Sequence, residues 1–257
     1  MSFATPVSPS LIPSISPSAP ADDRRTTVTN VGSTEVAISC PKSLKKRLYI
    51  RAASGPNLNK SAGVFALTPL ERNQLISLGI TAPIHVVPNG IRPVTVASPE
   101  QGLALRRQHG LDSADRVLLF IGRITPKKRL EDIIQALSLL GASAPHLFIA
   151  GSPTAEPDYG ETLFRIVREC GCAARVHWLG FLDEAAKSAA YAAADVFVHA
   201  SESEGMALAI LEAMSAGLPV VATRGCYMAE AAATHALIQC EQGADALAAA
   251  LAPLLAD

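Results

Sequence analysis

The chain has 257 residues, of which 49% are apolar and 18% charged, and its formal net charge is −1. That balance can bury a substantial core, and it excludes an all-disordered chain and a strongly basic nucleic-acid binder. No apolar run reaches the roughly 18 residues that a membrane span needs, and the scarcity of aromatic residues (5%, with one Trp) argues against stacking platforms for single-stranded nucleic acid.

Residues 1–20 hold six Ser and five Pro. Proline at this density removes backbone donors and blocks helix and sheet alike, so residues 1–40 are expected to form a disordered tail. Leu11, Ile12 and Ile15 are too few and too broken by Pro for a signal-peptide core. From Pro41 the character changes. Lys45-Lys46-Arg47 heads an expected helix with Leu44, Leu48 and Tyr49, and the basic triplet reads as a solvated face. Val64–Leu67 is a strand, Thr68 an N-cap with Pro69 at the first helical position and Glu71 completing a capping box, and Gly79 ends that helix. Ile84–Val87 is a second strand, closed by the turn signal Pro88-Asn89-Gly90. Strand, helix and strand in so short a span predict a βαβ unit with a parallel pair.

After Gly110 the alternation is regular. Val117–Ile121 is an unbroken apolar strand, followed by the loop Gly122-Arg123-Ile124. Thr125 caps a helix with Pro126 at its first position and Leu130, Ile133, Ile134 and Leu137 on one face. Leu147–Ala150 is a strand, Leu163, Ile166 and Val167 mark a helix, and Val176–Leu179 is a strand ending at Gly180. A helix over 184–193, a strand over 196–199, a helix over 206–216, a strand over 219–222 and a helix over 244–255 complete the pattern. Strands alternating with such helices predict an α/β fold with a doubly wound parallel sheet, whose ligand lies beyond the carboxyl ends of the strands.

The five cysteines, at 40, 170, 172, 226 and 240, form no CxxC pair, and the six histidines are scattered. Idle thiols in a reducing, cytoplasmic compartment are expected, with no metal site. Arg123 and Lys128, just past a strand end, suit a phosphorylated ligand. Glu204 and Glu212 have seven residues between them. At ~1.5 Å per residue they stand about 12 Å apart along the axis, too far for a glycosidase pair at about 5–9.5 Å. That separation suits carboxylates gripping the two ends of one long ligand, with the free N–H groups of Met206, Ala207 and Leu208 between them as an anion site. Hydroxyls, phosphates, hydroxyls is the order of groups in a nucleotide-sugar.

Glu204 to Glu212, continued by Ala213 to Thr223, resembles the donor-site motif of the family 4 (group 1) glycosyltransferases. These are retaining enzymes of the two-Rossmann-domain GT-B fold. Gly122 to Lys128 is similar to their second motif, and Pro88-Asn89-Gly90-Ile91 to the segment joining their domains. The resemblance covers roughly Pro41 to Asp257. It implies a remnant of the N-terminal acceptor domain with linker over 41–110 and a donor-binding Rossmann-like domain over 111–257. It implies that Arg123 and Lys128 hold the diphosphate and stabilise the departing charge without a metal or cofactor. Glu204 would bind the donor sugar, and Glu212 the ribose. The backbone N–H groups of Met206, Ala207 and Leu208 would meet the diphosphate, Gly122 and Gly205 would belong to the substrate-binding site, and the backbone near Gly180 and Phe181 would line the base pocket. Glu230 matches an acidic position with no assigned side-chain role. Met206 and Ala207 stand where the family usually has an aromatic residue and a glycine. Much of the acceptor domain and the last helices have no counterpart in the sequence. The expected activity is therefore transfer from a nucleotide-sugar to a sugar or lipid-linked acceptor. The alternatives are a donor-binding domain without turnover, or half of a split enzyme completed by a separate acceptor-domain chain. An incomplete acceptor domain would also expose apolar surface.

Overall fold

A computed structural model describes residues 54–153 and 156–256. The expected tail and the helix around Lys45–Arg47 lie outside the described residues. Two parallel sheets are present among the described residues. The smaller pairs β1 (Val64–Ala66) with β2 (Ile84–Val86), Phe65 opposite His85. It follows a helical turn, α1 (Gly55–Leu58), and is bridged by α2 (Pro69–Ser77). The Thr68 hydroxyl accepts from the Glu71 amide at 3.1 Å, as the capping box requires. The Glu71 carboxylate, however, reaches one residue further back, to the Leu67 amide at 2.7 Å. Residues 87–98 then run without regular structure, so Pro88-Asn89-Gly90 forms no turn. The apolar core of this unit comprises Val64, Ala66, Leu75, Ile80 and Ala82.

The larger sheet has six strands, β3 (Val117–Ile121), β4 (His146–Ala150), β5 (Val176–Gly180), β6 (Val196–His199), β7 (Val220–Thr223) and β8 (Ile238–Cys240). Their order is β5-β4-β3-β6-β7-β8, all parallel. Numbered from its own first strand this is 3-2-1-4-5-6, the doubly wound order whose direction reverses between β3 and β6. Helices α4 (Leu130–Leu140), α5 (Pro157–Glu169) and α9 (Ala244–Ala256) cover one face, and α3 (Pro99–Gln108), α6 (Glu184–Ala193) and α7 (Leu208–Ser215) the other. Strand β3 shows why its run is uninterrupted: Leu118 and Phe120 join the first core, Val117 and Leu119 the second, and all four are fully buried. Among the described residues no helix is long and apolar enough to cross a membrane.

Two expected boundaries are corrected. Thr125 makes no side-chain cap; Pro126–Lys128 is a 3-10 turn, and the α-helix starts only at Leu130, after Arg129 takes a left-handed conformation at φ 52°. The helix expected from Met206 begins at Leu208, with Ala207 extended as its N-cap. Helix α3, strand β8 and the short α8 (Ala229–Ala233) are additions. Helix α3 carries Gly102 at mid-length because α6 passes too close for a side chain: a Cβ there would lie 2.4 Å from the Ala192 carbonyl oxygen.

Candidate functional site

The β3 and β6 ends converge at the switch point. Beyond β3, Gly122 donates to the Ala150 carbonyl, leaving Arg123 on the surface, exposed and with no side-chain partner among the described residues. The 3-10 turn then brings Lys128 inward. Beyond β6, the loop to α7 is pinned at four points. Gln242 donates to the Ala200 carbonyl at 2.6 Å and the Thr223 hydroxyl to the Ser201 carbonyl at 2.9 Å. The Glu202 and Glu204 amides donate to the Lys127 and Gly225 carbonyls, each at 2.9 Å. A loop so held is pre-organised, so it presents its groups at little further entropic cost.

At the centre, Lys128 Nζ meets Glu204 Oε1 at 2.5 Å, with both side chains about 15% exposed. The same oxygen accepts from Ser201 Oγ at 2.5 Å. Burial alone would raise the Glu204 pKa, but contacts with His199, Lys128 and Ser201 outweigh it and hold the carboxyl well below the usual carboxylate range. Glu204 Oε2 has no hydrogen-bond partner among the described residues. His199 ends β6 beside this pair, a residue that sequence reasoning placed only in a strand. Nothing in the linear sequence singles it out, since its partners come from two other segments.

The amides of Met206, Ala207 and Leu208 make no backbone hydrogen bond among the described residues. They are thus free as expected, although only Leu208 belongs to the helix. The 1.5 Å rise therefore does not apply from Glu204 to Ala207, and the 12 Å separation from Glu212 does not follow. Glu212, on α7, turns toward α6, where Oε1 accepts from Lys187 at 3.1 Å and Oε2 from the Tyr191 hydroxyl at 2.9 Å. Burial and then the Glu212 carboxylate raise the Tyr191 pKa strongly, keeping it a proton donor. Glu212, Lys187 and Leu208 line a cavity of about 680 Å³ whose other wall is the segment from Gly90 to Thr95. Gly205 faces the smaller sheet; a Cβ there would lie 3.1 Å from Leu67 Cδ1. Met206 and Glu230 line a second, mainly apolar cavity of about 330 Å³, with Leu67, Val86, Tyr227 and Met228. Gly180 and Phe181 stand apart at the edge strand β5, Gly180 at φ 69° and Phe181 86% exposed. Backbone bonds from Gly151 to Gly180 and from Gly122 to Ala150 join this edge to the switch point.

Comparison with known proteins gives the family. Residues 103–257 match the family described as glycosyl transferases group 1. The D-inositol 3-phosphate glycosyltransferase of Mycolicibacterium gilvum is 36% identical over 161 residues, 60% of this chain and 35% of that protein. A glycosyltransferase of Methanocaldococcus jannaschii is 35% identical over 142 residues, 54% of this chain and 35% of that protein. The chain thus spans about a third of the length of these curated relatives. Among solved structures, Anabaena HepE in complex with UDP superposes with a TM-score of 0.74 at 24% identity, over 82% of this chain and 58% of that one. Sucrose-phosphate synthase from Thermosynechococcus elongatus does so with a TM-score of 0.70 at 23% identity, over 84% and 57%. At that identity the likeness establishes the fold, which matches the six-stranded sheet described above. Together with the match over most of the larger sheet and its helices, it shows that the chain belongs to the group 1 glycosyltransferases, with a GT-B Rossmann-like fold.

Proposed function

We propose that the chain binds the nucleotide-sugar donor of a glycosyltransferase that moves a glycosyl group to an acceptor with retention of configuration. The observation that carries this reading is the junction at the switch point: Lys128 against Glu204, with the open Arg123 and the undonated amides of Met206, Ala207 and Leu208 nearby. Arg123, Lys128 and those amides supply the positive charge that a departing diphosphate needs, so the reading calls for no metal. Glu204 Oε2 accepts from a hydroxyl of the donor sugar. Gly180 and Phe181 lie three strands from β6, ~14 Å at ~4.8 Å per strand, which suits the base end of an extended ligand. Glu212 takes the ribose. Both its oxygens already have a partner, but each carboxylate oxygen has about two lone-pair sites, so ribose hydroxyls can join Lys187 and Tyr191.

The HepE structures contain UDP, UDP-glucose, or UDP with glucose, which makes UDP the first probe. Calorimetric titration of the chain with UDP, GDP and ADP should show binding that weakens with salt, and Lys128→Met should reduce it at least tenfold. Binding of none of the three refutes the reading. The acceptor, a sugar or a lipid-linked sugar, needs a second wall. Because the chain covers about a third of its curated relatives, a second reading is donor binding without turnover unless another polypeptide segment supplies that wall. Transfer from a bound nucleotide-sugar to any acceptor by this chain alone would refute that second reading. We place the activity in the cytoplasm in glycan or polysaccharide synthesis; the free thiols of Cys170, Cys172, Cys226 and Cys240 suit a reducing compartment.

A further inference from the structure

We propose that His199 is a positioning residue of the donor site, the standby partner that holds Glu204 when a diphosphate draws Lys128 away; this rests on the nucleotide-sugar reading above. The imidazole is 1% exposed and fixed by stacking, 5.3 Å from the Phe120 ring at 13° and 6.1 Å from Phe197 at 11°. Its Nε2 lies 3.5 Å from Lys128 Nζ and 3.7 Å from Glu204 Oε1, near both and at full hydrogen-bond distance from neither. Lys128 itself sits at 2.5 Å from Glu204. The other ring nitrogen, Nδ1, is buried with no hydrogen-bond partner among the described residues. A slot walled by two phenylalanines would take a third without leaving an orphaned polar atom, so the imidazole sustains a cost that packing does not explain.

The two tautomers of a neutral imidazole match the two states of the site. With its proton on Nδ1, Nε2 accepts from Lys128. With its proton on Nε2, it donates to Glu204, which a departing Lys128 would otherwise leave with Ser201 alone. The charged groups facing the ring are Lys128 from the 3-10 turn and Glu204 from the β6–α7 loop. From the segment after β7, Cys226 donates its thiol to the His199 carbonyl at 3.5 Å. Burial keeps the ring neutral by holding its pKa below the ordinary histidine value. The exchange therefore needs no net proton uptake.

A double-mutant cycle tests this, with His199→Phe, His199→Gln, Glu204→Gln and the His199→Phe/Glu204→Gln pair titrated with UDP, GDP and ADP. His199→Phe should weaken nucleoside diphosphate binding about tenfold, while His199→Gln, which keeps an N–H near the Nε2 position, should stay within about threefold of wild type. In the Glu204→Gln background, where no carboxylate is stranded, His199→Phe should change little. Wild-type affinity in His199→Phe, or the same tenfold loss in both backgrounds, overturns the role of His199 and leaves the donor reading standing. Absence of wild-type binding to all three nucleotides overturns the donor reading and this inference with it. If His199→Phe fails to fold, nitrogen-15 NMR of the wild-type imidazole decides: the proton should move to Nε2 on nucleotide binding, and an unchanged tautomer refutes the proposal.

Discussion

Replacing Lys128 with Met should turn the core of the site from an ion pair into a stranded carboxylate. Lys128 and Glu204 are 15% and 16% exposed and 2.5 Å apart. Breaking a fully buried pair costs about 3–5 kcal/mol and an exposed one at most about 1. A pair at this depth, with Ser201 and His199 still beside the carboxylate, should cost about 1–3 kcal/mol, or a melting temperature lower by about 2–12 °C for a chain of this size. The sign of the pH dependence follows from linkage. The folded pKa of Glu204 is depressed, so its stabilisation is fully present above the ordinary carboxylate value and fades as the pH falls toward the folded one. In Lys128→Met the folded pKa rises toward or above the ordinary value, so acid relieves the variant while it weakens wild type. Urea unfolding at pH 7 and pH 4 should therefore show a gap between the two proteins that narrows on acidification. Glu204→Gln should abolish the pH dependence of that gap. A gap of equal size at both values, or none at pH 7, would refute the coupling.

Three further outcomes follow from other parts of the molecule. Gly151 has φ 152°, and a Cβ there would lie 2.1 Å from the Gly122 carbonyl oxygen; Gly151→Ala should destabilise the chain by at least about 2 kcal/mol in thermal unfolding, and a neutral substitution would mean the β3 and β4 ends are looser than described. His177, 3.0 Å from His146 at the β4–β5 edge, has its pKa lowered to about 4 by burial and by His109 and His146. The unfolded chain therefore takes up this proton first, and stability should fall as the pH drops from about 6.5 toward 4; His177→Phe should flatten that slope in denaturant titrations, and an unaltered slope would remove His177 as its source. Glu212→Ala should strand the Tyr191 hydroxyl, leave Lys187 to Glu184 alone, and weaken nucleoside diphosphate binding about tenfold, an outcome that unchanged calorimetric affinity would rule out.

Much of this fold can be read from apolar runs. Val117–Ile121 and Val196–His199 are strands because both faces of the sheet are covered, so every position can be apolar. Less legible are elements whose burial comes from elsewhere. Helix α3 lacks an apolar stripe; Gly102 and Arg106 are its buried residues, and Arg106 is held by the Ala193 carbonyl and the Asp195 carboxylate. Its Ser98 and Gln101 form a capping box that the sequence does display, but without a periodic apolar face the signal stands alone. Thr125-Pro126 suits the start of a 3-10 turn as well as that of an α-helix. The turn is selected by Arg129, whose left-handed backbone is offset by a two-pronged bond to Asp132 at 3.1 and 2.9 Å.

Within the site, Arg123, Lys128, Glu204 and the Met206–Leu208 amides can be found because they stand at strand ends, where a doubly wound sheet gathers its ligand groups. What spacing does not disclose is how they pair. Lys128 rests on Glu204 across 76 positions of sequence, and His199 acquires a role only because β6 brings it beside both. Glu212 lies on a helix, as the pattern predicts, but its engagement by Lys187 and Tyr191 depends on how α6 lies against α7.

The central claim is that one nucleotide-sugar spans the switch point, from the β5 edge to the start of α7. Amide chemical-shift mapping of the chain during titration with UDP tests it most directly. The account predicts that the largest changes fall at Gly122, Arg123 and the amides of Met206, Ala207 and Leu208, with smaller ones at Gly180 and Phe181. Saturable binding whose changes fall elsewhere, leaving Met206 to Leu208 unmoved, would contradict it.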